Sequence, residues 1–280
     1  MNTKIGKLKN ALPKDTLYFA VFDATSIAYF TGFTGASVLL IPKDGESTLY
    51  VSGTNFEQAK YEVKDAHVQM LKRGEHLLET IAKTAKPNVN AKLAVDSLSI
   101  ESYHILAKAV GDEKLLTAQN KIIRTLRAVK TSDEIALIRK ACKLANLGIK
   151  VASEVIKPGV SELELAAEVE YAMRKAGSCG TAFDTIIASG VNSAFPHGTC
   201  KSRTIQDGDL VVVDLGATVS NYRSDITRTL VAGKPTEKQL KICKAVKKAQ
   251  DLAFNAMKPQ VPAKEVDAVA REAITQAGFD

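Results

Sequence analysis

The sequence predicts a mixed α/β protein of two domains, the second of which is built from two related halves. Three observations support this prediction: strand-like and helical runs alternate in the N-terminal part, a long helical segment follows residues 131–134, and residues 241–278 repeat residues 140–177. With 280 residues, 45% hydrophobic and 25% charged, the chain is long enough to form two cores. We therefore predict domains over residues 1–125 and 126–280.

The N-terminal domain is predicted to contain a mixed sheet. Asp44 and Gly45 stand between the second and third strand-like runs and suit a hairpin turn that needs positive φ, which makes these two strands antiparallel. The sequence of this domain contains no cluster of residue types that are typical of catalytic sites. We therefore expect the domain to have an architectural role or to control substrate access. The predicted strands cover residues 16–22, 36–41, 48–51, 66–71 and 92–95.

The second domain is predicted to begin with two helices. Residues 131–134 offer an N-cap and an acidic first turn for a long helix that runs to about Val155, before the stop signal Lys157-Pro158-Gly159. Ser161 then caps a second helix, which ends at Ala176-Gly177. Three strands are predicted to follow, over residues 181–189, 209–216 and 221–232.

The repeat relates this helix pair to the C-terminal segment at a constant offset of 101 residues, without a gap. Twelve of the 38 aligned residues are identical, and both helix ends coincide, since IKPGVSELE aligns with MKPQVPAKE. The second half reaches Asp280 before any strands follow. We therefore expect either that the chain is a truncated version of a longer protein or that a partner supplies the rest, and that the last two helices expose an apolar face.

Composition narrows the class of protein. The sequence has neither the roughly 18 consecutive apolar residues of a membrane span nor a secretory signal, which predicts a cytoplasmic protein without a membrane partner. Four scattered cysteines without a CxxC pair are expected to be reduced and structural. The net charge of +7 raises nucleic acid as a partner, but the lysines are spread over amphipathic helices, so we predict that no nucleic acid is bound.

Two aspartates stand out in LVVVDLGATVSNYRSDITRT, residues 210–229. The valine run predicts that Asp214 is buried. A four-residue hairpin loop over residues 218–221 would set Asp214 directly opposite Asp225, with Cβ atoms about 4.5–5.5 Å apart. Two carboxylates at that separation repel each other unless a cation lies between them.

The nature of that cation stays open from these residues alone. Arg223 or Arg228 would neutralise the pair by a structural ion pair. A divalent metal ion would suit the same oxygen ligands, but two carboxylates do not complete a hydrolytic metal site, and further ligands would have to come from elsewhere. His197, in the loop ASGVNSAFPHGTC, is either a reactive side chain held by its proline and glycine neighbours or an ordinary exposed histidine.

Taken together, FDTIIASGVNSAFPHG and GDLVVVDLGATVSNYRSDITRTL resemble the pita-bread metallopeptidases, the family of methionine aminopeptidase, Xaa-Pro aminopeptidase, prolidase and creatinase. DATSIAYFTGFTG is similar to the creatinase-like N-terminal domain of the proline-specific branch. The resemblance implies that Asp214 and Asp225 are the first two ligands of a dinuclear site and that His197 contacts substrate. It places the other three ligands, one histidine and two glutamates, beyond Asp280.

For the complete protein the resemblance implies hydrolysis of Xaa-Pro bonds in proline-containing peptides, with two divalent ions (Mn²⁺, Co²⁺ or Zn²⁺) and a homodimeric assembly. An aminopeptidase is slightly favoured over a dipeptidase. The chain alone, with two of five ligands, is expected to be inactive. The alternatives are a creatinase-like amidinohydrolase and, from a different class, a non-catalytic pita-bread module that binds a peptide or protein partner.

Overall fold

The computed structural model describes residues 3–279, which form two compact units. Within these residues, the first unit comprises residues 3–137 with Ser220–Tyr222, and the second comprises Ile138–Val219 with residues 223–279. The helices are α1 Lys4–Ala11, α2 Ala24–Thr31, α3 Phe56–Glu62, α4 Leu77–Ala85, α5 Ile100–Val110, α6 Asn120–Ala128, α7 Ser132–Val155, α8 Glu162–Lys175, α9 Glu237–Ala256 and α10 Ala263–Gln276. The boundary near residue 125 stays a prediction.

The strands of the first unit form one six-stranded sheet in the order β4-β3-β2-β1-β5-β6. The sheet is mixed, as predicted: β2 is antiparallel to both β1 and β3, whereas β1 is parallel to β5. Gly45 has a φ of +98° in the β2–β3 turn, the conformation that its sequence context predicted. The sequence missed the short strand β6. These strands are β1 Thr16–Val21, β2 Ala36–Pro42, β3 Thr48–Val51, β4 His67–Met70, β5 Lys92–Val95 and β6 Leu116–Ala118.

Helices cover both faces of this sheet. Successive residues of the central strands point to opposite sides, and since both sides are apolar, each side must be buried against helices. Phe19 and Val21 of β1 pack in one buried cluster with α1, α2 and α6, and Ala20 packs in another with α4 and α5. The central strands are therefore apolar on both sides, which explains why they read as continuous hydrophobic runs.

A polar cluster in the first unit joins three distant parts of the sequence. The Tyr222 hydroxyl donates a hydrogen bond of 2.7 Å to Oε1 of Glu134, a residue that is only 5% exposed. Lys4 Nζ lies 3.6 Å from the same carboxylate oxygen and 4.2 Å from the centre of the Tyr29 ring. Burial and the negative charge of Glu134 raise the pKa of Tyr222 above its usual range, so the hydroxyl keeps its proton.

The two helix pairs of the second unit confirm the repeat. α8 and α10 coincide residue for residue at the offset of 101, and α7 and α9 end at corresponding residues, Val155 and Ala256. Gly177 and Gly278 both have positive φ, of +106° and +83°, directly after the second helix of each pair. The identities therefore mark equivalent structural positions. The sequence repeat ends at Gly278, and Asp280 lies outside the described residues.

The three strands predicted for the second unit are each shorter or divided. The segment 181–189 forms two strands, and the segment 221–232 is interrupted at Ser224 and Asp225. One antiparallel sheet has the order β12-β9-β8, and a second has the order β11-β10-β7. These strands are β7 Gly180–Thr181, β8 Ile186–Ser189, β9 Leu210–Leu215, β10 Ala217–Val219, β11 Tyr222–Arg223 and β12 Ile226–Val231.

The C-terminal helices α9 and α10 pack against each other and leave large apolar side chains in solvent. Phe254 is 72% exposed, and the only buried residues of α9 are Ala245 and Ala249. The predicted exposed apolar face is confirmed. No helix within residues 3–279 is long and apolar enough to cross a membrane.

Candidate metal centre

Asp214 lies on β9, the central strand of its sheet, between β8 and β12. Val211, Val213 and Leu215 are 0% exposed, whereas Asp214 points to the opposite face of the strand and is half-buried. The expectation of a buried Asp214 was therefore wrong, because the valine run alternates between two faces of unequal burial. Its carboxylate remains accessible to a ligand while the strand is held by the core.

The register of the hairpin differs from the predicted one by two residues. Thr227, and not Asp225, is the direct partner of Asp214. The turn has two residues, Ser220 and Asn221, with φ of +46° and +69°, so a tight two-residue turn replaces the four-residue loop. Asp225 precedes β12 by one residue and therefore lies diagonally from Asp214, at a position pair typically about 7–8 Å apart.

Thr227 orients the Asp214 carboxylate. Its hydroxyl donates a hydrogen bond of 2.8 Å to Oδ1 of Asp214. Asp225 is exposed and lies two residues before Thr227, directly outside β12, so continuing the alternation of β12 backward puts Asp225 on the face of Thr227 and Asp214. The hairpin thus presents two carboxylates on one face, one of them held by a neighbouring side chain.

Gly216 allows the hairpin to close at this point. A Cβ on Gly216 would lie 2.7 Å from Cβ of Ala182 and still closer to the carbonyl oxygen of Ser224. The amide of Ser224 donates to the carbonyl of Ala217 at 3.0 Å, and the Ser224 hydroxyl accepts from the Ala217 amide at the same distance. These contacts fix the backbone between the two aspartates, shortly after Asp214 and directly before Asp225.

The arginine alternative gains no support from the structure. Within residues 3–279, no ion pair joins Asp214 or Asp225 to Arg223, Arg228 or any other basic side chain. The guanidinium of Arg228 instead donates to the carbonyl of Thr227 at 2.7 Å. The negative charge of the pair is therefore left available to a cation.

His197 lies in a turn of the loop that follows β8, and its side chain is exposed. The amide of Gly198 donates to the carbonyl of Phe195 at 3.1 Å and closes this turn. Among the described residues, His197 makes no hydrogen bond with either aspartate. Within residues 3–279, no group of three or more His, Cys, Asp and Glu side chains is arranged so that it could hold a metal ion.

The sequence reading missed Glu162, the first residue of α8. Its carboxylate is 0% exposed and accepts hydrogen bonds from Ser189, Asn192 and Lys201, on both sides of His197 along the chain. An acidic residue in the first turn of a helix is common, so Glu162 gave no signal of its own. The one sequence signal was the apolar segment around Ser189, in which a polar side chain needs a buried hydrogen-bond partner.

Residues 136–280 match metallopeptidase family M24, and residues 5–129 match the creatinase/prolidase N-terminal domain. The chain belongs to metallopeptidase family M24. The resemblance to the proline-specific pita-bread enzymes is thereby confirmed, with a creatinase-like domain followed by a pita-bread domain. Membership implies divalent metal cofactors.

Three relatives illustrate the similarity. The chain is 40% identical to the Xaa-Pro dipeptidase of Pyrococcus furiosus over 256 residues, which are 91% of this chain and 71% of the relative. It resembles the structure of an Xaa-Pro dipeptidase from Bacillus anthracis with a TM-score of 0.88 at 31% identity, covering 98% of this chain and 77% of that one. The X-Pro aminopeptidase of Thermotoga maritima has a TM-score of 0.83 at 33% identity, with 94% and 76% covered.

Proposed function

We propose that a protein containing this chain, together with the three further ligands that the family resemblance places after residue 280, hydrolyses Xaa-Pro peptide bonds. The observation that carries the proposal is the pair Asp214 and Asp225, two carboxylates on one face of a hairpin in an M24 domain, neither of which forms an ion pair within residues 3–279. These two residues are the metal ligands of the proposed site.

The donor set fits a divalent ion. Carboxylate oxygens suit Mn²⁺, Co²⁺ and Zn²⁺, and diagonal positions on a hairpin let two side chains reach toward shared cations. Thr227 holds Asp214 in one orientation, which lowers the entropy lost when a ligand binds. We propose two ions in the complete site, because two hydrolytic metals commonly share carboxylate ligands.

The chain contributes to catalysis through ligand placement and substrate contact. When bound, divalent ions supply Lewis acidity toward the scissile carbonyl and a water nucleophile at neutral pH. Asp214 and Asp225 hold that charge at a fixed point on the hairpin. His197 donates a hydrogen bond to the carbonyl oxygen of the substrate as negative charge develops there, an effect of about 2–4 kcal/mol for a preorganised donor.

The names of the relatives direct the choice of substrate. The proteins from P. furiosus and B. anthracis are called Xaa-Pro dipeptidases, and the protein from T. maritima is called an X-Pro aminopeptidase. We propose a dipeptide as the first substrate to assay, since the most similar of these three is a dipeptidase. An aminopeptidase would instead cleave Xaa-Pro-Yaa tripeptides.

The assembly and location are also proposed. The homodimer is what the family resemblance implies, whereas the cytoplasmic location and the lack of nucleic-acid or membrane partners rest on the composition. Light scattering of the purified protein measures the mass in solution, and a monomer would contradict the dimer.

The test uses the natural protein that contains this chain, loaded with Mn²⁺ and assayed against an Xaa-Pro dipeptide, an Xaa-Pro-Yaa tripeptide and creatine. Asp225→Asn should lose both Mn²⁺ binding and hydrolysis, while Asp251→Asn, at an exposed position of α9, should retain both. His197→Ala should lower kcat by about 10²–10³ with a smaller change in KM.

Retained activity in Asp225→Asn would show that the carboxylates were assigned wrongly. Turnover of creatine without peptide cleavage would replace the peptidase by an amidinohydrolase. Protein that binds no Mn²⁺ and cleaves none of the three substrates would instead favour a non-catalytic binding module.

A further inference from the structure

One buried carboxylate holds both ends of the loop that carries His197. Oε1 of Glu162 accepts hydrogen bonds from the amide and hydroxyl of Ser189, at 2.8 and 2.7 Å, and from Nδ2 of Asn192 at 3.2 Å. Oε2 accepts from the amide of Lys201 at 2.9 Å. Ser189 ends β8 before the loop, and Lys201 follows His197 by four residues.

We infer that Glu162 is a positioning residue, which fixes the His197 loop for the proposed reaction. The effect on the reaction rests on the proposed role of His197, whereas the claim that Glu162 holds the loop does not depend on it. Without Glu162, the loop ends would keep few of the bonds that fix their spacing, and the turn that presents His197 would be free to move.

The carboxylate is suited to this task because its hydrogen-bonding capacity is used up. A carboxylate offers about four acceptor positions, and Glu162 accepts four hydrogen bonds. Burial alone would raise its pKa, but the hydrogen bonds from Ser189, Asn192 and Lys201 outweigh burial and hold the pKa below its usual range. Glu162 therefore stays charged at neutral pH, and each bond to it is charge-assisted.

Arg203 adds a further contact to this polar cluster at Ser189, where the loop begins. Its Nη1 donates to the Ser189 hydroxyl at 2.5 Å and to Oδ2 of Asp209 at 2.6 Å. The Ser189 hydroxyl thus accepts from Arg203 while it donates to Glu162, which removes its rotational freedom. The start of the loop is held more firmly than its end, where the bond to the Lys201 amide is the one contribution of Glu162.

The repeat shows that helix α8 does not itself need this residue. Ala263 occupies the equivalent first position of α10, and both α8 and α10 are 14 residues long. A carboxylate at this position is therefore dispensable for forming a helix of this length. The donors of its four hydrogen bonds all lie outside the helix, on Ser189, Asn192 and Lys201.

Glu162→Gln is the informative variant. The Gln carbonyl can still accept from Ser189 and Asn192, but its amide group would then face the Lys201 amide, so that two donors oppose each other. Glu164→Gln is the matched control: Glu164 lies in the same helical turn and bonds only to Ser161, where Gln also serves in a capping box.

Hydrogen exchange of the chain, followed by mass spectrometry, tests the structural part without any activity. In Glu162→Gln, amides of residues 190–201 should exchange at least about tenfold faster than in the wild type, with α8 and β9 unchanged. Glu164→Gln should match the wild type. Unchanged exchange of the loop in Glu162→Gln would overturn the inference. Should that variant fail to fold, Asn192→Ala removes one donor only and should accelerate the same amides.

A double-mutant cycle in the natural protein tests the positioning role. Glu162→Gln should lower kcat by about tenfold, with little change in KM, when His197 is present, and by less than about twofold in a His197→Ala background. Equal losses in both backgrounds would contradict action through His197. If the wild-type protein cleaves no Xaa-Pro bond, the proposed function fails, and the exchange experiment still decides the role of Glu162 in the loop.

Discussion

Gly216 and Ser224 approach so closely across the hairpin that a Cβ on Gly216 would lie well within 3.0 Å of the Ser224 carbonyl oxygen. Asp214 precedes this contact by two residues, and Asp225 follows it by one. The glycine therefore sets the spacing of the two proposed ligands through the backbone and not through a side-chain contact.

Gly216→Ala should consequently disturb both stability and metal binding. The added methyl group cannot be accommodated unless the strands separate, which costs about 1–3 kcal/mol or more of unfolding free energy. Chemical denaturation and Mn²⁺ titration measure the two effects. Gly180→Ala is the control, because the nearest atom to a Cβ there is a guanidinium nitrogen 3.6 Å away. Equal stability of the two variants would contradict the proposed close approach.

Thr227→Val should weaken metal binding without unfolding the hairpin. Valine keeps the branched shape of threonine but cannot donate to Oδ1 of Asp214, so the carboxylate loses its fixed orientation. One such hydrogen bond contributes about 0.5–1.5 kcal/mol, and we expect the Mn²⁺ dissociation constant to rise about 2- to 10-fold. Thr229→Val, on the same face of β12, should leave it unchanged. A change of similar size in both variants would exclude the specific bond as the cause.

Tyr222→Phe should destabilise the first unit. It removes the hydroxyl that donates to Glu134 and leaves that buried carboxylate with fewer partners. The expected loss of unfolding free energy is about 1.5–3 kcal/mol, the range for a hydrogen bond to a charged group. Tyr171→Phe, at a side chain that is 62% exposed, should change stability little. Both are measured by urea denaturation at neutral pH. An unchanged midpoint for Tyr222→Phe would show that Lys4 and the Thr131 amide satisfy Glu134 without the tyrosine hydroxyl.

Glu162 predicts a pH dependence of stability. Its folded pKa lies below the ordinary value of 4.5, so the folded state binds this proton less tightly than the unfolded state does. The resulting stabilisation is complete above about pH 5.5 and disappears as the pH falls through the folded pKa. The difference in unfolding free energy between wild type and Glu162→Gln should therefore be constant near neutral pH and shrink below 4.5. A constant difference down to about pH 3 would contradict the assigned pKa shift.

Much of the fold was readable from the sequence because the strong signals were local. The strands of the first unit carry apolar runs bounded by turn residues, and the repeat aligned two helix pairs whose ends coincide in the structure. The candidate carboxylates were also found from the sequence, since an aspartate that ends a valine run is unusual. Their assignment as ligands stays a prediction.

The hairpin register was not readable, because Ser220 gives no signal for positive φ. Two-residue turns of this type are normally marked by Asn-Gly or Asp-Gly, and here the first position is serine with φ of +46°. The shift of two residues kept both aspartates on one face but replaced direct opposition by a diagonal relation. The burial of Glu162 was equally hidden, since its partners lie 27 to 39 residues further along the chain.

Gln260 adopts the left-handed conformation that glycine adopts at the equivalent position of the first half. It has a φ of +74° at the position that answers to Gly159, whose φ is +98°. A left-handed residue other than glycine costs about 1–2 kcal/mol, yet the connection between the two helices has the same length and the same left-handed position in both halves. The turn therefore keeps its backbone conformation with glutamine in place of glycine. The relation between the two halves is therefore better judged by their backbone geometry than by their sequence identity.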